Sequence, residues 1–267
     1  MPLSTIQEDV LRLIAANRSP DSYVAGATVL QRAEDTPRYS ADLDLFHDLE
    51  ESIAQSAEAD AATLGAAGWD FSWLLRTPAF HRAVVRADDR ALKLEWAQDS
   101  AFRFYPVQED ERFGYRLHDA DAAINKVLAL AGRSEIRDFV DVLHLDDGYL
   151  PLGALAWAAC GKDPGFTPEF LLDHAARHVA YTQVDLDRLS LREPLDLGIL
   201  KRRWLGAVER ARALVAELPP DEVGCLYVDT TRQPARPDPT SDEFRALTRH
   251  RGCVRGAWPG VSPYRHP

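Results

Sequence analysis

An α+β domain followed by a helical one is the architecture that this sequence predicts. Three observations carry that reading: an alternation of apolar and acidic residues at 42 to 46, three consecutive strand-length segments between residues 69 and 96, and a change to helical periodicity from about Asp119.

Ile6, Val10, Leu13 and Ile14 recur at helical spacing after a Ser/Thr cap, which predicts a helix over 5 to 17. A short strand at 22 to 25 and a second helix around Thr28 to Arg32 come next. The acidic strand covers 41 to 46, and a helix runs from Leu49 to Leu64, closed by Gly65 to Gly68. Segments 69 to 76, 79 to 87 and 90 to 96 read as successive antiparallel strands, with Thr77-Pro78 and Asp88-Asp89 as turns. Helices are then expected at 119 to 131, 134 to 145, 151 to 159, 168 to 178 and 198 to 217, the last ended by Pro219-Pro220. The expected division is 1–117 for the α+β domain, 118–220 for the helical domain and 221–267 for a tail, which is irregular apart from a short strand at 224 to 228.

The 267 residues suffice for one or two domains with a sizeable core, and 46% hydrophobic with 27% charged residues is ordinary for a globular protein. No apolar run approaches the ~18 residues of a membrane span, and the N-terminus lacks the basic-then-apolar signal pattern. A cytoplasmic location with no membrane partner is therefore expected. Cys160, Cys225 and Cys253 are scattered and lack ligand spacing, so neither a zinc site nor a disulfide framework is indicated. A formal net charge of −11 argues against broad non-specific nucleic-acid binding but leaves room for a local basic face. The basic segments 32 to 38, 76 to 90, 201 to 203 and 245 to 255 read first as solvated faces.

The chemistry concentrates in Ser40-Ala-Asp42-Leu-Asp44-Leu-Phe46. As a strand it puts Asp42 and Asp44 on one face and Leu43 and Leu45 on the other. Two carboxylates pointing the same way repel each other unless a cation lies between them, and hard oxygen ligands at that spacing suit Mg²⁺ or Mn²⁺ bound together with substrate phosphates. Gly26, sixteen residues before Asp42, lets a backbone approach those phosphates closely. Asp119-Ala-Asp121 and Asp185-Leu-Asp187 repeat the Asp-x-Asp spacing without such a context and read as solvated acids. In 91 to 96 the alternation puts Lys93 and Glu95 on the polar face and Leu92, Leu94 and Trp96 in the core. Glu95 is thus a candidate third carboxylate, completing the metal cradle or acting as general base, although an exposed Lys/Glu strand face reads the same way. A further stretch runs from Asp121 through Lys126 and Arg133 to Arg137-Asp138-Phe-Val-Asp141. Lys126 lies among Ile124, Val127, Leu128 and Leu130, so its ammonium is expected to emerge at the edge of a mostly apolar helix. An amphipathic helix pair with surface ion pairs would give the same pattern.

The run Gly26-Ala-Thr28 followed by Arg38-Tyr-Ser40-Ala-Asp42-Leu-Asp44-Leu-Phe46 resembles the AbiEii/AbiGii toxin-type nucleotidyltransferases of the nucleotidyltransferase superfamily. The Lys126 to Leu143 stretch resembles the helical-domain signature of the same family, and the resemblance covers about residues 20 to 145. It implies a nucleotidyltransferase-like mixed sheet with helices. It also implies that Gly26 and Thr28 form a phosphate turn, with Ser40 beside it, and that Asp42 and Asp44 hold the metal. Lys126 and Arg133 would contact the nucleotide, and Asp141 would complete the acidic site, with Asp138 competing for that role and otherwise making a structural ion pair with Arg133 or Arg137. Ala27 departs from the family's usual glycine or serine.

The activity implied is Mg²⁺- or Mn²⁺-dependent transfer of a nucleoside monophosphate from a nucleoside triphosphate. The implied acceptor is the 3′ end of tRNA, and the implied regulator is a cognate antitoxin. A small-molecule or protein hydroxyl as acceptor, and a degenerate protein that binds without turnover, are the two alternatives.

Overall fold

Residues 3–32, 36–133, 135–176 and 180–260 are described by the computed structural model. The chain forms two units, one of residues 1–101 and 106–122 and the other of 102–105 and 123–267.

In the first unit, α1 (Thr5–Ile14) opens on a capping box in which Ser4 and Gln7 exchange bonds, and it buries Ile6, Val10, Leu11 and Ile14. The sheet is built from β1 (Ser22–Ala25), β2 (Asp42–His47), β3 (Asp70–Thr77), β4 (Phe80–Ala87), β5 (Arg90–Gln98) and two short strands, which with the two-residue β6 (Phe102–Arg103) of the other unit counted in chain order are β7 (Gln108–Asp110) and β8 (Gly114–Arg116). Its order is β3-β4-β5-β2-β1-β8-β7. β1 pairs antiparallel with β2, whereas β2 pairs parallel with β5, so the sheet is mixed. The three expected antiparallel strands are β3, β4 and β5.

One face of this sheet is apolar, with Leu43, Leu45, Ala83, Val85, Leu94 and Trp96 buried. They belong to one core with Val10, Leu11 and Ile14 of α1 and Ile53, Ala57 and Leu64 of α3 (Glu50–Ala66). Beneath the sheet, the Asp60 carboxylate of α3 accepts from the Arg18 guanidinium at 2.5 and 2.6 Å and from the Trp96 indole at 2.8 Å. Neither side chain of that ion pair has any exposure, and these bonds offset the cost of burying the charges. Covering one face with helices leaves the opposite face of the strands to carry polar residues.

His47, His81 and His118 of this unit are buried, and burial lowers the pKa of each. Burial first, then the Arg18 charge, brings His47 down to about 4, and burial brings His118 down to about 4. A base whose folded value is depressed stays neutral in the fold while the unfolded chain takes up its proton near pH 6.5. This stability is complete above pH 6.5 and is lost as pH falls toward 4, by roughly 2 kcal/mol for each of His47 and His118. Chemical denaturation at pH 7.5 and at pH 4.5 should show the loss, and His47→Gln should lessen it.

In the second unit, α5 (Ile136–Gly148), α6 (Leu152–Lys162), α7 (Pro168–Ala176), a short α8 (Gln183–Asp187) and α9 (Leu197–Glu217) follow α4 (Asp119–Gly132), within which the two units meet in sequence. α6 is apolar on all sides, and every residue from Leu152 to Cys160 is buried. Gly153 lies so close to α9 that a Cβ there would come within 2.9 Å of the Ala211 carbonyl. The expected continuation of α7 to residue 178 and the start of α5 at Ser134 lie outside the described residues, as does the tail from 261.

The tail is more ordered than its composition suggests. β9 (Cys225–Val228) pairs antiparallel with β10 (Thr248–Arg251), and β11 (Cys253–Val254) pairs with β6. Thr-Arg-His-Arg has no apolar alternation, so β10 is defined by its ladder to the buried β9 and by the His250 ring, bonded to the Phe104 carbonyl at 2.8 Å.

Candidate active site

The polar face of the first unit's sheet gathers its acids by register. Asp42 lies beside Lys93 and Asp44 beside Glu95 across the parallel β2/β5 pair, while Ala25, just before Gly26, lies beside Asp44 on the other side. Carboxylate oxygens of Asp42, Asp44 and Glu95 all lie within 4.8 Å of one another. That spread matches the ~4–5 Å width of an oxygen shell around a hard divalent cation, so the three residues fit such an ion.

Gly26 begins the five-residue α2 (Gly26–Leu30) with φ +63°. A Cβ at this position would meet the Asp44 Oδ2 at 2.2 Å. The close approach that Gly26 permits is therefore that of the Asp44 carboxylate to the backbone. Only glycine combines this φ with that lack of volume.

The Asp42 backbone is pinned from three sides. Its carbonyl accepts from Ser40 Oγ at 2.9 Å, Thr28 Oγ1 at 3.1 Å and Gln7 Nε2 at 3.3 Å. The Thr28 and Ser40 side chains are buried, and their hydroxyls act on Asp42. Ala27 is buried as well. Gln7, on α1, was not expected at the site. It marks no motif, and only the fold brings its amide to this strand.

Lys93 and Arg82 bring positive charge to these acids. Lys93 Nζ lies 2.9 Å from Asp42 Oδ2 and 3.0 Å from Glu95 Oε1. Arg82 Nε donates to the same Glu95 oxygen at 2.8 Å. Burial acts to lower the Lys93 pKa, but its bonds to Asp42 and Glu95 and their charges prevail and leave it raised. Arg82 is a second residue that motif reading misses. Its signal is the Asp88-Asp89 turn, since pairing Ala87 with Arg90 sets Arg82 opposite Glu95.

The remaining predicted residues lie in the second unit. Lys126 does not emerge at a helix edge as expected but is buried, with its ammonium 2.8 Å from Asp138 Oδ1 and 3.2 Å from Asp141 Oδ2. A buried ammonium requires counter-charge, and α5 supplies two carboxylates three residues apart on neighbouring positions of its surface. Arg133, half-exposed, donates to Asp138 at 2.7 Å, as expected for Asp138 in a structural ion pair.

No family model matches this sequence, and no curated protein matches it. Among solved structures, the chain is similar to a candidate nucleotidyltransferase from H. pylori, with TM-score 0.53 and 18% identity over 80% of this chain and 96% of the other. It is similar to JHP933 from Helicobacter pylori, with TM-score 0.52 and 19% identity over 80% and 95%. MenT4, a nucleotidyltransferase toxin from Mycobacterium tuberculosis H37Rv, gives TM-score 0.57 and 18% identity over 81% and 83%. The fold is nucleotidyltransferase-like. At these identities the likeness concerns the fold alone, and the expected mixed α+β sheet is what it bears out.

Among the described residues, no helix is long and apolar enough to cross a membrane.

Proposed function

We propose that this protein is a metal-dependent nucleotidyltransferase that moves a nucleoside monophosphate from a nucleoside triphosphate to a hydroxyl acceptor, with release of pyrophosphate. The observation that carries the reading is the clustering of Asp42, Asp44 and Glu95 oxygens within 4.8 Å on the polar face of a nucleotidyltransferase-like sheet. Mg²⁺ or Mn²⁺ bound there would polarise the phosphoryl group and lower the charge that builds up in the transition state. Asp42 and Asp44 would supply ligand oxygens, and Glu95 would complete the cradle.

The chain's own contribution is positioning. Ser40, Thr28 and Gln7 hold the Asp42 backbone, and Gly26 leaves room for the Asp44 carboxylate. A rigid strand pair keeps the acids at fixed spacing, and such preorganisation is what phosphoryl transfer mainly asks of a protein. By resemblance, Lys126 and Arg133 bind the nucleotide and Asp141 completes the acidic set.

The acceptor that the reading favours is the 3′ end of tRNA, with a cognate antitoxin as regulator and the cytoplasm as the place of action. Support comes from the family resemblance and from MenT4, a nucleotidyltransferase toxin of the same fold. The net charge of −11 favours an acceptor gripped over a short terminus and not along an extended duplex. It also supports a second reading, a cationic small molecule or a protein hydroxyl as acceptor.

Incubation with each α-labelled nucleoside triphosphate, Mg²⁺ and total tRNA separates these readings. Label in RNA is the expected outcome, and label in a small molecule or protein would establish the second reading. No incorporation with any of the four nucleotides would refute the enzyme assignment.

A further inference from the structure

The metal cradle already contains a cation of the protein's own. Lys93 Nζ bridges Asp42 Oδ2 and Glu95 Oε1 at 2.9 and 3.0 Å, and both acceptors belong to the three residues whose oxygens would hold the metal. The bridge is built into the sheet, since Lys93 lies beside Asp42 in the β2/β5 register and two residues before Glu95 on the same face. On the far side of Glu95, Arg82 binds Oε1 without reaching the aspartates in the contacts described. Of these two cations, Lys93 is the one that spans two members of the cradle. Its side chain retains 36% exposure, so it can leave the acids for solvent at little packing cost.

We propose that Lys93 is an intrinsic competitor for the divalent cation, a positioning residue that holds the cradle closed and lowers its affinity for free metal. This inference rests on the reading of Asp42, Asp44 and Glu95 as the cradle. Lys93 and a divalent cation call on the same Asp42 and Glu95 carboxylates, and two cations cannot share such a pair without mutual repulsion. An ammonium in that place keeps three neighbouring acids from repelling one another while no metal is bound. It also makes binding of free metal conditional on displacing Lys93 from the acids, which a polyanionic nucleotide arriving with its own metal would favour.

The test is Mn²⁺ binding, read by electron paramagnetic resonance and by the Mn²⁺-induced rise in melting temperature, with no nucleotide present. Lys93→Gln and Lys93→Met, the latter keeping the aliphatic stem, should bind Mn²⁺ on the order of tenfold more tightly than the unaltered protein. Both should melt lower without metal and gain more from it, whereas Lys93→Arg should behave like the parent. Equal or weaker Mn²⁺ binding by both neutral variants, with the parent still binding, would overturn the role of Lys93 and leave the cradle intact. Absence of Mn²⁺ binding by parent and variants alike would overturn the cradle itself, and this inference with it.

Discussion

Replacing Asp42 with asparagine is expected to abolish nucleotide transfer, by about three orders of magnitude or more, while the protein still folds. A ligand to the metal supplies several kcal/mol of transition-state stabilisation that an amide cannot replace. The fold should survive, because Ser40, Thr28 and Gln7 act on the backbone carbonyl of Asp42 and the substitution leaves that carbonyl in place. The substitution removes one carboxylate from Lys93, whose ammonium keeps Glu95 at 3.0 Å, so the melting temperature should change by no more than a few degrees. Turnover at the parent rate by Asp42→Asn would remove this residue from the site. Gly26→Ala should reach the same end by another route. Its Cβ would meet Asp44 Oδ2 at 2.2 Å, and the carboxylate, being the end of a flexible side chain, would move aside and leave the cradle. The backbone cost at φ +63° is about 1–2 kcal/mol, so activity should fall far more than stability.

Lys126→Met should be the most destabilising single change at the predicted site residues, by about 3–5 kcal/mol in urea denaturation, since it removes the ammonium that two buried carboxylates share. Asp138 would retain Arg133, whereas Asp141 would lose the ammonium 3.2 Å away. Asp138→Ala should be destabilising too, because it removes the shared partner of Lys126 and Arg133. Asp141→Ala should mainly eliminate transfer, in keeping with the role proposed for it. Matched activity and melting assays that gave the reverse pattern would exchange the roles of the two aspartates. Acid provides a second check. Burial alone would raise the Asp138 pKa, but the charges and hydrogen bonds of Lys126 and Arg133 prevail and hold it below 3.8. A carboxylate with a depressed folded value contributes stability that is complete above its unfolded pKa and lost as pH falls through the folded one. The helical unit should therefore lose this contribution only below about pH 4, whereas His47 and His118 act on the other unit between pH 6.5 and 4.

What the sequence determined by itself is local in origin. A period of two places Asp42 and Asp44 on one face, and Lys93 with Glu95 on another, wherever those strands end up. Helical spacing likewise marked α1, α3, α4 to α7 and α9 without reference to their neighbours, whereas the one-turn α8 carried no such signal. The tertiary structure decided which faces meet. Asp44 and Glu95 are 51 residues apart, and only the parallel β2/β5 pairing, which no turn between them dictates, makes them neighbours. The same pairing sets Lys93 against Asp42, and the packing of α1 delivers Gln7 to the Asp42 carbonyl. Lys126 illustrates the limit most clearly. Its apolar helix neighbours suggested an emerging ammonium, yet two carboxylates on the next helix let it remain buried. The physical reason is that periodicity specifies the direction of a side chain from its own backbone, whereas its partner charges, and hence its burial, depend on elements that the chain reaches only after folding.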